Sequence, residues 1–373
     1  MTYQPRPLRV WHWLVPAGLL LAATVLVWAG DGDRRVARLV YVPGGVPAWP
    51  LGYREPWNAL YEWGVFPALL VAVLGVLLLT RGRLAPRRAL ERWAGALIVL
   101  GMVLGPFLLV NGVLHNAWGR PRPRQVLEFG GTQPFRPVLL PTGNARDQSF
   151  PTGHAVGGFS LLGAYFVLRE RWPRWAWAAL GLGLAAGGVV AWARITQGGH
   201  WLSDGLWCAG VVYFSFWAAA QGLAWRARRA RDSTPAPPGP LRRALIVTVG
   251  SAASAALIIG YLAYLPLQQA LLARHAVPQG PGPLHLQLVA PPLHVSVLPG
   301  KGTELVLWTT LSGRGAPWTQ LTGDWEPAPA QQGTAPLRYV LHVRGLRRAM
   351  NLDTEVHVPQ GTDVRLEVSQ PAP

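Results

Sequence analysis

Seven ionisable residues fall at the ends of apolar runs: His115, Arg120, Arg122, His154, Arg194, His200 and Asp204. Arginine offers planar, bidentate donors that match the oxygens of a phosphate. His200 and Asp204 are spaced i, i+4 and so share one helix face. A carboxylate on one imidazole nitrogen fixes the tautomer and makes the other nitrogen a better nucleophile. His154 is a separate imidazole able to protonate a leaving oxygen. It follows Pro151-Thr152-Gly153, where a helix start would offer free N–H groups to an anion and Gly153 would let the backbone come close. An anion cradle, an oriented nucleophile and an acid together predict phosphoryl transfer without a metal or other cofactor. Each piece alone has a bland reading. A lone histidine at a membrane edge is usually structural, and basic juxtamembrane clusters usually meet lipid headgroups. Clustering on one face favours chemistry.

The elements that must gather these residues are membrane spans. Seven apolar runs approach the roughly 20 helical residues needed to cross a bilayer: 10–30, 58–80, 93–114, 152–168, 174–194, 200–224 and 243–266. A chain changes sides at each crossing. The ends of spans three and five and the starts of spans four and six therefore share a boundary, which is where the seven residues lie. The N-terminus and the connections at 81–92, 169–173 and 225–242, with the flanking Arg174 and Arg243, hold 16 arginines, against 10 in 31–57, 115–150 and at Arg194 on the other side. The positive-inside rule puts the N-terminus in the cytoplasm and the seven residues outside. The first span has a rival reading. Arg6, Arg9, an apolar stretch and Val27-Trp28-Ala29 resemble a cleavable signal peptide.

Composition agrees. Charged residues are 14% of 373, well below the roughly one quarter of a soluble domain, and hydrophobic residues are 50%. That apolar fraction also excludes disorder. The net charge of +17 can signal nucleic acid, but the arginines lie between apolar runs, so no nucleic-acid partner is expected. The single Cys208 rules out an intrachain disulfide. Many of the 19 tryptophans suit interfacial belts; Trp118 or Trp201 could instead stack on substrate. Past residue 280, short alternating runs such as Leu284–Val289, Leu337–Val343 and Asp363–Val368 predict a small antiparallel β domain. Its histidines, among them His275 and His357, show no tight ligand spacing, so no metal site is expected there. The expected architecture is an all-α polytopic membrane bundle, six core helices plus a seventh, with a small C-terminal all-β domain. Its parts are a first helix and outer loop (1–57), a core (58–224), a basic, Pro-rich linker (225–242), a seventh helix (243–266) and an outer β domain (280–373).

The ordered blocks resemble the type 2 phosphatidic acid phosphatase superfamily, whose signatures are Lys-x6-Arg-Pro, Pro-Ser-Gly-His and Ser-Arg-x5-His-x3-Asp. Here they read His115-x6-Arg122-Pro123, Pro151-Thr152-Gly153-His154 and Ala193-Arg194-x5-His200-x3-Asp204. The resemblance covers roughly 58–224. It implies a six-helix membrane phosphatase acting on a lipid phosphate at the outer face of a bacterial inner membrane. It further implies His200 as nucleophile through a phosphohistidine, Asp204 as its partner and His154 as acid. Arg122, Arg194 and residue 115 would hold the phosphate, with Thr152 and Gly153. Gly119–Pro123, Glu128–Gly131 and Gln197–Asp204 resemble, more finely, bacterial lipid A 1-phosphatase-like enzymes.

Three positions depart from the pattern. Thr152 keeps the hydroxyl of the expected serine, Ala193 loses one, and His115 stands where lysine is expected. Either His115 holds the phosphate as a cation, or Arg120 supplies that charge and His115 merely caps span three. Undecaprenyl diphosphate and phosphatidylglycerol phosphate are alternative substrates. A phosphotransferase of the same chemistry and a catalytically silent lipid-binding membrane protein are alternative functions. The oligomeric state is not legible.

Overall fold

The computed structural model describes residues 5–144, 147–229, 237–263, 266–277, 283–300, 302–315, 319–327, 337–345 and 347–370. Residues 230–236 of the expected Pro-rich linker, Arg231 among them, lie outside the described residues. The chain divides into a helical unit, Met1–Pro43 with Trp49–Tyr261, and a second unit, Gly44–Ala48 with Leu262–Pro373.

The helical unit comprises α1 Trp11–Ala29, α2 Gly32–Arg38, α3 Trp57–Trp63, α4 Phe66–Leu84 and α5 Ala89–Met102. Helix α5 runs on through a π-helical stretch, Val103–Leu114, into α6 His115–Ala117. The wide turns fall around Pro106, which has no N–H to give an ordinary ladder. Then come α7 Val156–Phe159, α8 Leu162–Leu168, α9 Pro173–Thr196, α10 Leu202–Arg229 and α11 Pro240–Ala263. Among the described residues, six helical stretches are long and apolar enough to cross a membrane: 11–29, 57–84, 89–117, 173–196, 202–229 and 240–262. This is the make-up of a multi-pass membrane protein. The expected span at 152–168 is shorter, Val156–Leu168. The segment before Val156 is a buried loop, because the Ser149 N–H meets the Arg120 carbonyl of another loop and the Thr152 N–H the Asp204 carbonyl at the start of α10 instead of continuing a helix.

Helix α1 packs along α10. Gln221 accepts from the Leu8 N–H and donates back to the Leu8 carbonyl, and the Trp207 indole donates to Thr24 Oγ1. The core joins Trp93, Leu97, Val110, Phe159, Leu162, Phe166, Val212 and Phe216. Small residues bring backbones close, as membrane helices require. At Gly158 an added Cβ would lie 2.2 Å from the backbone nitrogen of Gly187.

The second unit is two four-stranded sheets, ordered β1-β4-β7-β3 and β5-β6-β2-β8. The strands are β1 Pro266–Ala276, β2 Leu284–Val289, β3 His294–Gly300, β4 Glu304–Gly315, β5 Gln320–Glu326, β6 Leu337–Arg344, β7 Arg347–Pro359 and β8 Val364–Ser369. Leu286, Leu288, Leu305, Leu307, Tyr339 and Val356 form its core. Two expectations are corrected. The sheets are mixed, since β2 runs parallel to both β6 and β8, and β3 runs parallel to β7. The β structure also starts at Pro266, where β1 pairs with β4 from Pro266–Arg314 to Ala276–Glu304. Its sequence, rich in Leu, Ala, Gln and Arg, favours helix locally, so tertiary pairing overrides propensity.

Gly158→Val should cost about 2 kcal/mol or more, because backbone stands where the side chain would go. A fall in the thermal midpoint of the purified protein, relative to wild type, checks this.

Candidate active site

The outer-loop backbone is stitched before any side chain is counted. Ser149 N–H donates to the Arg120 carbonyl at 3.0 Å, and Arg124 N–H to the Gly198 carbonyl at 3.2 Å. These bonds join the first motif to the second and to the third. Gln125 Oε1 accepts the Arg122 N–H at 2.7 Å, and Gly131 lies against the Gln125 backbone. Phe129 packs among Tyr41, Trp49 and Trp201. The Glu128 carboxylate holds Arg38 at 2.5 Å. The stretch Glu128–Gly131 thus builds the scaffold. Trp201 is buried, donates to the Pro121 carbonyl and packs edge-on to Phe135. Trp118 donates to the Val138 carbonyl and packs on Phe150. Both tryptophans are engaged in packing. The loop at Asn144–Gln148, which has no cysteine to tie it, is fastened by Asp147 to Gln133 and Asn144.

His200 is 2% exposed, and its Nδ1 donates to the Ser149 carbonyl at 2.5 Å. A nitrogen bonded to a carbonyl must carry the proton, so Nε2 holds the lone pair. The i, i+4 carboxylate of Asp204 is not the orienting acceptor. It lies 3.8 Å from Nδ1 and instead accepts from Ser149 Oγ at 2.5 Å, the Trp201 N–H at 2.8 Å and Arg120 Nη1 at 2.5 Å. Spacing placed the two side chains side by side; three better donors took the carboxylate. Asp204 therefore reaches His200 through Ser149, which the sequence reading passed over.

Arg120 is not a phosphate ligand here. Its side chain has no exposed surface and lies between Asp204 and Asp33, the latter at 2.7 Å from Nη2. It also donates to Ser203 Oγ and to the Arg136 carbonyl. Of the two readings of position 115, the one that lent it the charge of Arg120 is overturned. His115 ends the third span with Nδ1 3.2 Å from the Pro151 carbonyl and its ring centre 6.4 Å from that of His200.

The remaining site residues carry unmet polar atoms. Thr152 Oγ1, His154 Nε2 and Arg194 Nε are buried without a hydrogen-bond partner. Each such atom costs free energy unless something polar meets it. Arg194 also donates to Gln197 Oε1, which is tied in turn to the Gly52 carbonyl. A Cβ at Gly199 would lie 2.9 Å from the Arg194 guanidinium, so glycine there leaves the arginine its room. At Gly153 a Cβ would meet Asn111 Oδ1 at 2.7 Å. Tyr61, missed by the sequence reading, stacks on His154 at 4.8 Å and lies under Arg194 at 4.4 Å. It holds the imidazole and the guanidinium on opposite duties of one ring.

His154 and His200 precede their helices, which begin at Val156 and Leu202. Burial, then Arg194, holds both imidazoles well below the ordinary histidine value; His200 and Arg122 press further on His154. Burial, then Arg124, lowers Arg122 to about 10, which leaves it charged at neutral pH. The empty site thus pairs charged arginines with neutral histidines. Among the described residues, no group of three His, Cys, Asp or Glu side chains is arranged as a metal site.

The fold and this cluster define a class: a polytopic helical protein with a buried arginine–histidine site at one end of its spans. Residues 94–229 match the model of the PAP2 superfamily. It is similar to proteins named lipid A 4'-phosphatase. One is from Francisella tularensis subsp. novicida, 32% identical over 150 residues, 40% of this chain and 64% of that one. Another, from Rhizobium leguminosarum, is 35% identical over 130 residues, 34% of this chain and 54% of that one. A third, from Rhizobium etli, is 35% identical over 132 residues, 34% of this chain and 48% of that one. The chain thus matches less than two thirds of the length of each of these relatives. No solved structure matches it.

A phosphate dianion among these groups should raise the lowered pKa of His154. Binding of inorganic phosphate at pH 8, where the free ion is already largely the dianion, should then draw a proton from solution. Affinity should fall as pH rises. Calorimetry in buffers of different ionisation enthalpy measures the uptake. Binding with no proton exchange would remove His154 from the phosphate.

Proposed function

We propose that the chain is a metal-independent lipid phosphatase working through a phosphohistidine on His200. The observation that carries this is the Nδ1 bond to Ser149, which leaves Nε2 bare beside charged Arg122 and Arg194. Arg122, Arg194, Thr152 and His115 hold the phosphate oxygens. His200 Nε2 attacks phosphorus, the N–P bond forms, and the P–O bond to the lipid breaks. His154 gives its proton to the departing oxygen. Water then attacks phosphorus, His154 takes the water's proton, and the N–P bond breaks to release inorganic phosphate. The buried arginines stabilise the charge that grows on the equatorial oxygens.

The substrate we assign is a phosphate on lipid A. The printed names of the three relatives favour the 4' position over the 1 position expected from the sequence. The chemistry of the site is compatible with that choice. A 4' phosphate leaves from an ordinary secondary alcohol, which needs a general acid more than the anomeric oxygen at position 1 does. The arginine asymmetry supports a site that faces the outer side of the inner membrane.

His200→Ala should lower turnover by roughly 1000-fold or more, because a nucleophile lost from a concerted set leaves only binding. Turnover should persist in EDTA, and vanadate should inhibit. Mass spectrometry of lipid A after incubation with purified protein reads the position. Loss of the 1 phosphate alone would overturn the 4' assignment; full activity of His200→Ala would overturn the phosphohistidine.

A further inference from the structure

Asp33 lies in α2, ahead of the matched residues. It is 6% exposed, and its hydrogen bonds run to Ser203 and Arg120, toward His200. Its Oδ1 accepts the Ser203 N–H at 2.8 Å. Its Oδ2 accepts Ser203 Oγ at 2.7 Å and Arg120 Nη2 at 2.7 Å. Arg120 Nη1 donates in turn to Ser203 Oγ at 2.8 Å and to Asp204 Oδ1 at 2.5 Å. Ser149 then links Asp204 to His200, donating from Oγ to the carboxylate and accepting on its carbonyl from the imidazole.

We infer that Asp33 is a positioning residue for the nucleophile, acting through Arg120, Ser203, Asp204 and Ser149 on the ring of His200. This rests on the reading of His200 as nucleophile. The reason is charge sharing. Arg120 is divided between two carboxylates. Without Asp33 the guanidinium has one carboxylate left and shifts onto Asp204, while the Ser203 N–H and hydroxyl at the start of α10 lose their acceptor. The Asp204 oxygens then move relative to Ser149, and the Ser149 carbonyl is what sets the imidazole. The phosphate-facing groups Arg122, Arg194, Thr152 and His154 make no hydrogen bond to Asp33. Loss of Asp33 should therefore appear in kcat and not in KM.

The test uses the purified full-length chain with Asp33→Asn, which keeps the shape and removes the charge. The kcat should fall roughly tenfold to a hundredfold, the scale of a small misplacement of a reacting group, with KM unchanged. Because Asp33 acts through Arg120, Asp33→Asn with Arg120→Gln should cost no more than Arg120→Gln alone. Asp33→Glu, which keeps the charge, is read by the same kcat-against-KM split should the Asn variant fail to fold. Wild-type kcat in Asp33→Asn, additive losses in the pair, or a loss explained wholly by a smaller folded fraction would overturn the inference. His200→Ala and trapping of labelled phosphohistidine separate the two claims. Activity in His200→Ala sinks the nucleophile reading. An inactive His200→Ala beside a normal Asp33→Asn sinks only the role of Asp33.

Discussion

Arg120 has no exposed side-chain surface and sits between two carboxylates, and this end of the helical unit is organised around satisfying it. A buried guanidinium costs several kcal/mol unless it is paired and hydrogen-bonded in good geometry. Asp33 comes from α2, just after the first span, Asp204 from the first turn of α10, and Arg120 from the loop after the third span. The pairing therefore fixes three distant pieces of chain at one point. Other contacts reinforce the same junction: Trp201 on the Pro121 carbonyl, the Arg120 guanidinium near the Trp201 and Phe135 rings, and Arg38 on Glu128. The last is exposed and contributes little by itself. Its geometry nonetheless steers α2 toward the loop that carries Phe129.

The arginines of the site divide into two kinds. Arg120 is satisfied within the protein and does scaffold work. Arg194 is buried with Nε unmet, and Arg122 makes one long bond to the Gln148 carbonyl at 3.4 Å. Arg120 and Arg122 are two residues apart in one Gly-Arg-Pro-Arg-Pro stretch, so residue type and spacing could not assign these opposite roles. What separates them is the position of the carboxylates. Asp33 and Asp204 converge on one guanidinium and leave the other for an incoming anion.

This is also where the sequence stopped being legible. The three motif blocks, the location of the spans and most strands could be read from local patterns: apolar run length, alternation and fixed intervals. Asp33 could not. It bonds Arg120 across 87 residues and Ser203 across 170, and a short charged loop gives no periodic signal. Tyr61 reads as one more interfacial aromatic until the fold stacks it on His154. The i, i+4 spacing of His200 and Asp204 was read correctly as proximity, but proximity did not become a hydrogen bond. The β1 strand was hidden because its residues favour helix and only its long pairing with β4 makes it extended. The shorter fourth helix follows from chemistry as well. A loop that presents Ser149, Thr152 and His154 to the site cannot also continue a helical ladder.

In the mechanism we propose, the electrostatics of the site would couple substrate binding to catalysis. Burial and arginines favour neutral imidazoles at His154 and His200. Neutrality is what a nucleophilic His200 needs, since a protonated Nε2 could not attack. It is the wrong state for His154 as a proton donor. A bound phosphate would resolve the conflict by bringing its own negative charge, which favours a proton on the imidazole beside the leaving oxygen. The same charge would act on His200, but there Nδ1–H is held by the Ser149 carbonyl and the Nε2 lone pair would face phosphorus. Bonding of Nε2 to phosphorus would make the ring cationic. The Ser149 carbonyl, with Asp204 behind it through the Ser149 hydroxyl, lies where it would stabilise that charge. On this proposal one bound dianion would make an acid of one imidazole and leave the other a nucleophile.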